Sequence, residues 1–116
     1  MIEKEINIKT TSNAAKDTVN TLIKMHNTVS AVKYIDALER DTQFFKPIKK
    51  AYKLVTQTVL DIDNIDVKLH DLLFLLLIEA KLAYELFCEN CKNSEISQLL
   101  TITHYQATEM LMMLKN

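Results

Sequence analysis

Apolar residues recur every three or four positions along most of this chain, the spacing of a helix stripe rather than of strand alternation. From Ser12, which suits an N-cap, the positions Ala15, Val19, Leu22, Val29, Val32, Ile35 and Leu38 trace one face of a first helix. The pattern fits a single helix of about seven turns or two shorter ones. At the greater length the helix projects past a small core and becomes a candidate dimerisation element. Ahead of it, Ile2, Ile6 and Ile8 sit among polar neighbours without full alternation. Residues 1–11 therefore read as a short N-terminal arm, and residues 12–116 as a single domain.

Residues 41–46 interrupt the stripe. Pro47 belongs in the first turn of a second helix, where its missing N–H costs nothing. That helix is expected to run to about Leu60, with Ile48, Ala51, Tyr52, Val55 and Val59 on its apolar side and Lys46, Lys49, Lys50 and Lys53 towards the other. Residues 61–66 open like a calcium loop. However, Ile65 and Asp66 stand where a ligand and the turn glycine belong, and Leu72 where the bidentate glutamate belongs. The segment reads instead as a linker ending in Asp66 as an N-cap. A third helix, from Val67 to about Cys91, is so dense in valine, leucine and phenylalanine that both its sides need cover, which marks it as the central core helix.

Residues 94–116 carry an amphipathic pattern, but Thr101, Ile102 and Thr103 put three β-branched residues in succession at its middle, a run that disfavours helix. Thr103 with Gln106 three residues on also forms a capping box for a new helix. Two helices joined by a tight turn are the expectation.

Composition supports the helical reading. The 116 residues include no glycine and one proline, which removes what hairpins and tight turns usually demand. It also excludes glycine-rich phosphate loops. The expected fold is all-α, a four- to five-helix bundle with a long N-terminal helix and a C-terminal helix-turn-helix-like pair. Residues 72–78 form the longest apolar run, far short of the roughly 20 residues that span a bilayer, and the N-terminus is charged rather than apolar. With only two cysteines, close together, a cytoplasmic protein without a membrane segment is expected. The net charge of −1 hides an uneven distribution, with lysines crowded at residues 46–53 and acids gathered at residues 61–95.

Enzymatic chemistry finds no motif. None of His26, His70 or His104 follows a glutamate by three residues, as di-iron bundles require, and no His-Glu-x-x-His is present. The histidines fall on separate helices without the turn that exposes a nucleophile. Cys88 and Cys91 form a lone Cys-x-x-Cys, half a zinc site, near a helix C-terminus where the dipole opposes thiol ionisation; they read as packing residues. Neither a catalytic residue nor a metal or cofactor is expected.

Apolar Ile96, Leu100, Ile102, Ala107, Leu111 and Leu114, with small Ser97 at the helix crossing, match the internal positions of a helix-turn-helix. The stretch Ile96-Ser97-Gln98-Leu99-Leu100-Thr101-Ile102-Thr103-His104-Tyr105-Gln106-Ala107 resembles that motif in the MarR and SarA type transcriptional regulators. A fainter similarity, through Phe87 and the Thr103 to Gln106 spacing, is to the flagellar regulator FlhD. The resemblance implies a recognition helix whose His104, Tyr105, Gln106 and Thr108 reach base edges in the major groove. The family's β-hairpin wing is not expected after residue 116, Thr101 stands where the family has a turn glycine, and Glu109 would repel phosphate.

Two functions follow as expectations. The first is a small, dimeric DNA-binding transcriptional regulator that touches phosphates through Lys46, Lys49, Lys50 and Lys53. The alternative is a non-enzymatic helical adaptor, such as a secretion chaperone or an immunity or inhibitor protein. Such an adaptor would bind another polypeptide, with Met110, Met112 and Met113 giving a surface that repacks readily.

Overall fold

The computed structural model describes residues 13–32, 45–57, 67–89 and 91–115. These form four helices, α1 (Asn13–Val32), α2 (Phe45–Gln57), α3 (Val67–Cys88) and α4 (Ser94–Lys115), with no strand among the described residues. The all-α expectation holds. The arm at residues 1–11, the Ser12 and Asp66 caps, the first-helix positions Ile35 and Leu38, and the linker 61–66 lie outside the described residues.

α3 is the central element. Its buried residues Leu69, Leu72, Leu73, Leu76, Ala80, Ala83, Leu86 and Phe87 cover more than one stripe of the helix, because α3 packs against each of the other three. α1 contributes Val19, Leu22, Met25 and Val29 to the same core, α2 Ile48 and Ala51, and α4 Leu100, Ala107 and Leu111. Ala80 and Ala83, both fully buried, have little side chain to hold neighbouring helices away. α1 also meets α2 and α4, whereas α2 and α4 stand on different sides of the α1–α3 pair. Aromatic rings join α2 to α3: Tyr52 lies over Tyr84 with centroids 4.0 Å apart, and Phe45 meets Phe87 at 4.5 Å.

Helix boundaries follow local chemistry. α2 opens at Phe45, two residues before Pro47, so the proline occupies the first turn as its fixed φ and missing N–H require. α3 ends at Cys88, short of the expected Cys91, because the chain turns there. The Cys91 N–H reaches back to the Leu86 carbonyl at 2.8 Å, and Cys91 takes a left-handed φ of 62°. That conformation ordinarily falls to glycine, which this chain lacks. Asn93 then starts α4: its Oδ1 accepts from the N–H groups of Glu95 and Ile96, each at 3.1 Å.

The expected break in the C-terminal segment is absent. α4 runs without interruption from Ser94 to Lys115, so there is no helix-turn-helix pair and no capping box at Thr103 and Gln106. Two effects outweigh the low helix propensity of Thr101, Ile102 and Thr103. Thr101 satisfies its hydroxyl within the helix by donating to the Ser97 carbonyl at 2.8 Å. The buried row Leu100, Thr103, Ala107 and Leu111 also lies on one continuous helical face, so a break would remove half of it from the core. Ile102, expected between two helices, is instead 57% exposed.

Candidate functional site

The least expected group in this core is Glu79, a carboxylate with no exposed surface in the most apolar of the four described helices. Unpaired, such a charge would cost several kcal/mol. Two imidazoles meet it from other helices. His26 on α1 places Nδ1 2.6 Å from Glu79 Oε1, and His104 on α4 places its own Nδ1 against Glu79 Oε2. The rings stack with centroids 4.3 Å apart and planes inclined by 27°. His26 is buried, while the His104 side chain keeps 24% of its surface in solvent.

Thr108, one turn after His104, completes the arrangement. Its hydroxyl donates to the His104 carbonyl at 2.8 Å, which leaves oxygen lone pairs to face His26 Nε2 at 3.3 Å. With the Thr108 proton held on the His104 carbonyl, the 3.3 Å contact calls for a His26 Nε2–H donor, and in that tautomer the His26 Nδ1 to Glu79 Oε1 contact needs a proton between the two atoms. Wherever that proton sits between the two atoms, the pair is net neutral, which is how the core tolerates the carboxylate. His26, Glu79 and His104 each offer one ligand atom, and those atoms lie within 4.8 Å of one another.

Sequence reasoning does not assemble this cluster, because its members are 53 and 25 residues apart in the chain. Part of it is legible nonetheless. Glu79 falls on the three-and-four spacing of Leu72, Leu76, Ala83 and Leu86, where an acid has no solvent to face. On α1 the first-helix stripe skips from Leu22 to Val29, and Met25 and His26, both buried, fill that gap.

The proposed recognition residues divide. Tyr105 and Gln106 are exposed on α4, but His104 and Thr108 turn inward to Glu79 and His26, so the four do not form one outward surface. Continuity of α4 also puts all of them in mid-helix rather than at a helix start. Lys46, Lys49, Lys50 and Lys53 are exposed along α2. Lys46 and Lys50 join Lys24 of α1 around an open pocket of about 210 Å³ whose other lining residues are Thr21 and Pro47. This basic surface is carried by α1 and α2, away from α4.

Cys88 is exposed and Cys91 half-buried, and neither is in a disulfide among the described residues. Cys88 lies beside Tyr84; its hydrogen bond and its charge, followed by burial and by Tyr52, hold the Tyr84 hydroxyl above its ordinary 10.0. Among the described residues, no helix is long and apolar enough to cross a membrane.

The outer face of α4 is the most apolar exposed surface of the described residues. Leu99, Ile102, Tyr105, Met112 and Met113 are each more than half exposed there, and Phe74 on α3 is the other large apolar side chain so exposed. Glu95 and Glu109 share that outer surface, and α4 has no lysine or arginine before Lys115. Compared with known proteins, the chain matches no family model, no curated protein and no solved structure.

Proposed function

We propose that this chain is a non-catalytic helical adaptor that seats an amphipathic helix of another polypeptide, one with basic flanking residues, on the outer face of α4. The carrying observation is the exposed apolar group Leu99, Ile102, Tyr105, Met112 and Met113. These positions span 15 residues, about 21 Å of helix from first to last, the length of a docking surface for four turns of a partner. An apolar group of this kind on one element is a mark of an interaction surface, and its two methionines adapt to varied partners. Glu95 and Glu109 supply the charge preference. A second copy of α4 would bring the same acids to the interface, which favours a basic partner over self-association.

The test uses a synthetic amphipathic peptide of leucine and lysine, titrated into the full chain and followed by amide and methyl NMR. Binding should perturb Leu99, Ile102, Met112 and Met113, and the double substitution Ile102→Lys with Met113→Lys should remove it without lowering the melting temperature. Equal binding by that variant, or perturbations scattered over α1 and α2, would sink the reading. Concentration-dependent dimerisation abolished by the same variant would replace the partner helix with a second copy of the chain.

A second reading, duplex-DNA binding, is favoured by the exposed lysines on α1 and α2. Lys24, Lys46, Lys49, Lys50 and Lys53 would contact phosphates without a recognition helix. Binding to generic duplex DNA at low salt should then fall steeply as salt rises and weaken in Lys46→Ala/Lys50→Ala. An absence of binding at low salt eliminates this reading.

A further inference from the structure

We propose that His26, Glu79 and His104 are a metal site, taking one divalent transition ion of the zinc type at the junction of α1, α3 and α4. Two imidazole nitrogens and one carboxylate form the donor set that zinc and its neighbours prefer, whereas calcium and magnesium favour oxygen ligands. The ligand atoms are already gathered within 4.8 Å by three separate helices. A four-coordinate zinc ion, with bonds of about 2.0–2.2 Å, holds its ligand atoms roughly 3.4 Å apart. The His26 Nδ1 to Glu79 Oε1 contact of 2.6 Å then opens by under an ångström.

The surroundings suit ligation through Nδ1. A metal-bound histidine donates its other ring N–H to a fixed acceptor, and Thr108 stands at His26 Nε2 with its own proton committed to the His104 carbonyl. Ion binding displaces the proton held between His26 and Glu79, which leaves for solvent. The Nδ1 proton of His104 is replaced by one on Nε2, a change of tautomer that conserves charge. The ion brings two positive charges and one proton leaves, so the junction gains one net positive charge, with the negative charge of the unprotonated Glu79 carboxylate already counted. The partial exposure of His104 gives the route of entry, and the three protein ligands leave at least one coordination position open.

Chelator-washed full-length chain should take up one Zn²⁺ per molecule in calorimetry, and the ion should raise its melting temperature. His104→Gln, at a partly exposed position, should keep the helical spectrum and cooperative melting yet lose affinity by more than the roughly 10–100-fold that an outer-shell change brings. Thr108→Val should lose about tenfold. Cobalt as a substitute ion separates this site from Cys88 and Cys91, since a thiolate ligand adds an intense near-ultraviolet charge-transfer band. Absence of binding, a thiolate band, or unchanged affinity in a folded His104→Gln each overturns the proposal.

Discussion

Glu79 occupies a position where the spacing of Leu72 and Leu76 calls for another leucine, and its side chain has no water to face. Its tolerance depends on the two imidazoles, so removing it alone should be worse than removing all three groups together. Glu79→Ala leaves His26 buried without its acceptor and should cost roughly 3–5 kcal/mol in urea unfolding of the metal-free chain. Replacing His26, Glu79 and His104 together by leucine restores apolar packing of comparable volume and should recover most of that loss. A triple variant as unstable as Glu79→Ala would mean instead that the polar contacts themselves stabilise the fold by that amount. At this scale the sequence does give a signal, an acid on an apolar stripe, but it does not name the partners, because pairing depends on how three helices cross.

For the helices as units, caps and packing decide what propensity leaves open. Asn93 supplies two hydrogen bonds to the first turn of α4, so Asn93→Ala should destabilise the fold by about 1 kcal/mol. Gln106, exposed in mid-helix, should by contrast tolerate alanine to within about 0.5 kcal/mol, measured by the same denaturation. A large loss at Gln106 would restore the capping box and with it a two-helix ending. Local signals for a break at residues 101–103 were real, since β-branched residues do disfavour helix. They are overridden because Leu100, Thr103, Ala107 and Leu111 can all reach α3 from a single straight helix. Tertiary burial regularly exceeds the few tenths of a kcal/mol by which such residues differ in propensity.

In the molecule as a whole, α3 is the element that every other helix needs, and cooperative opening must expose it last. Amide exchange should be slowest between residues 72 and 83 of α3 and faster in α2 and at the ends of α1 and α4. Uniform exchange across the four helices would contradict a core centred on α3. The division of surface also belongs to this scale. Lysines line α1 and α2, while most of the exposed large apolar residues lie on α4, beside Glu95 and Glu109. Two such surfaces, on different sides of the bundle, make the adaptor and DNA readings separable by experiment.

Residue order alone specified the helical class, the position of α2 around Pro47, and α3 as the central helix. It did so because absent glycine, fixed proline geometry and apolar periodicity act within a few residues of one another. Packing between distant helices was needed to settle that α4 is unbroken and that His104 and Thr108 face inward. It alone also brought His26, Glu79 and His104 to one point. Those outcomes rest on contacts between residues far apart in the chain, where burial against α3 and the cost of an unpaired core carboxylate outweigh the local preferences that a sequence displays.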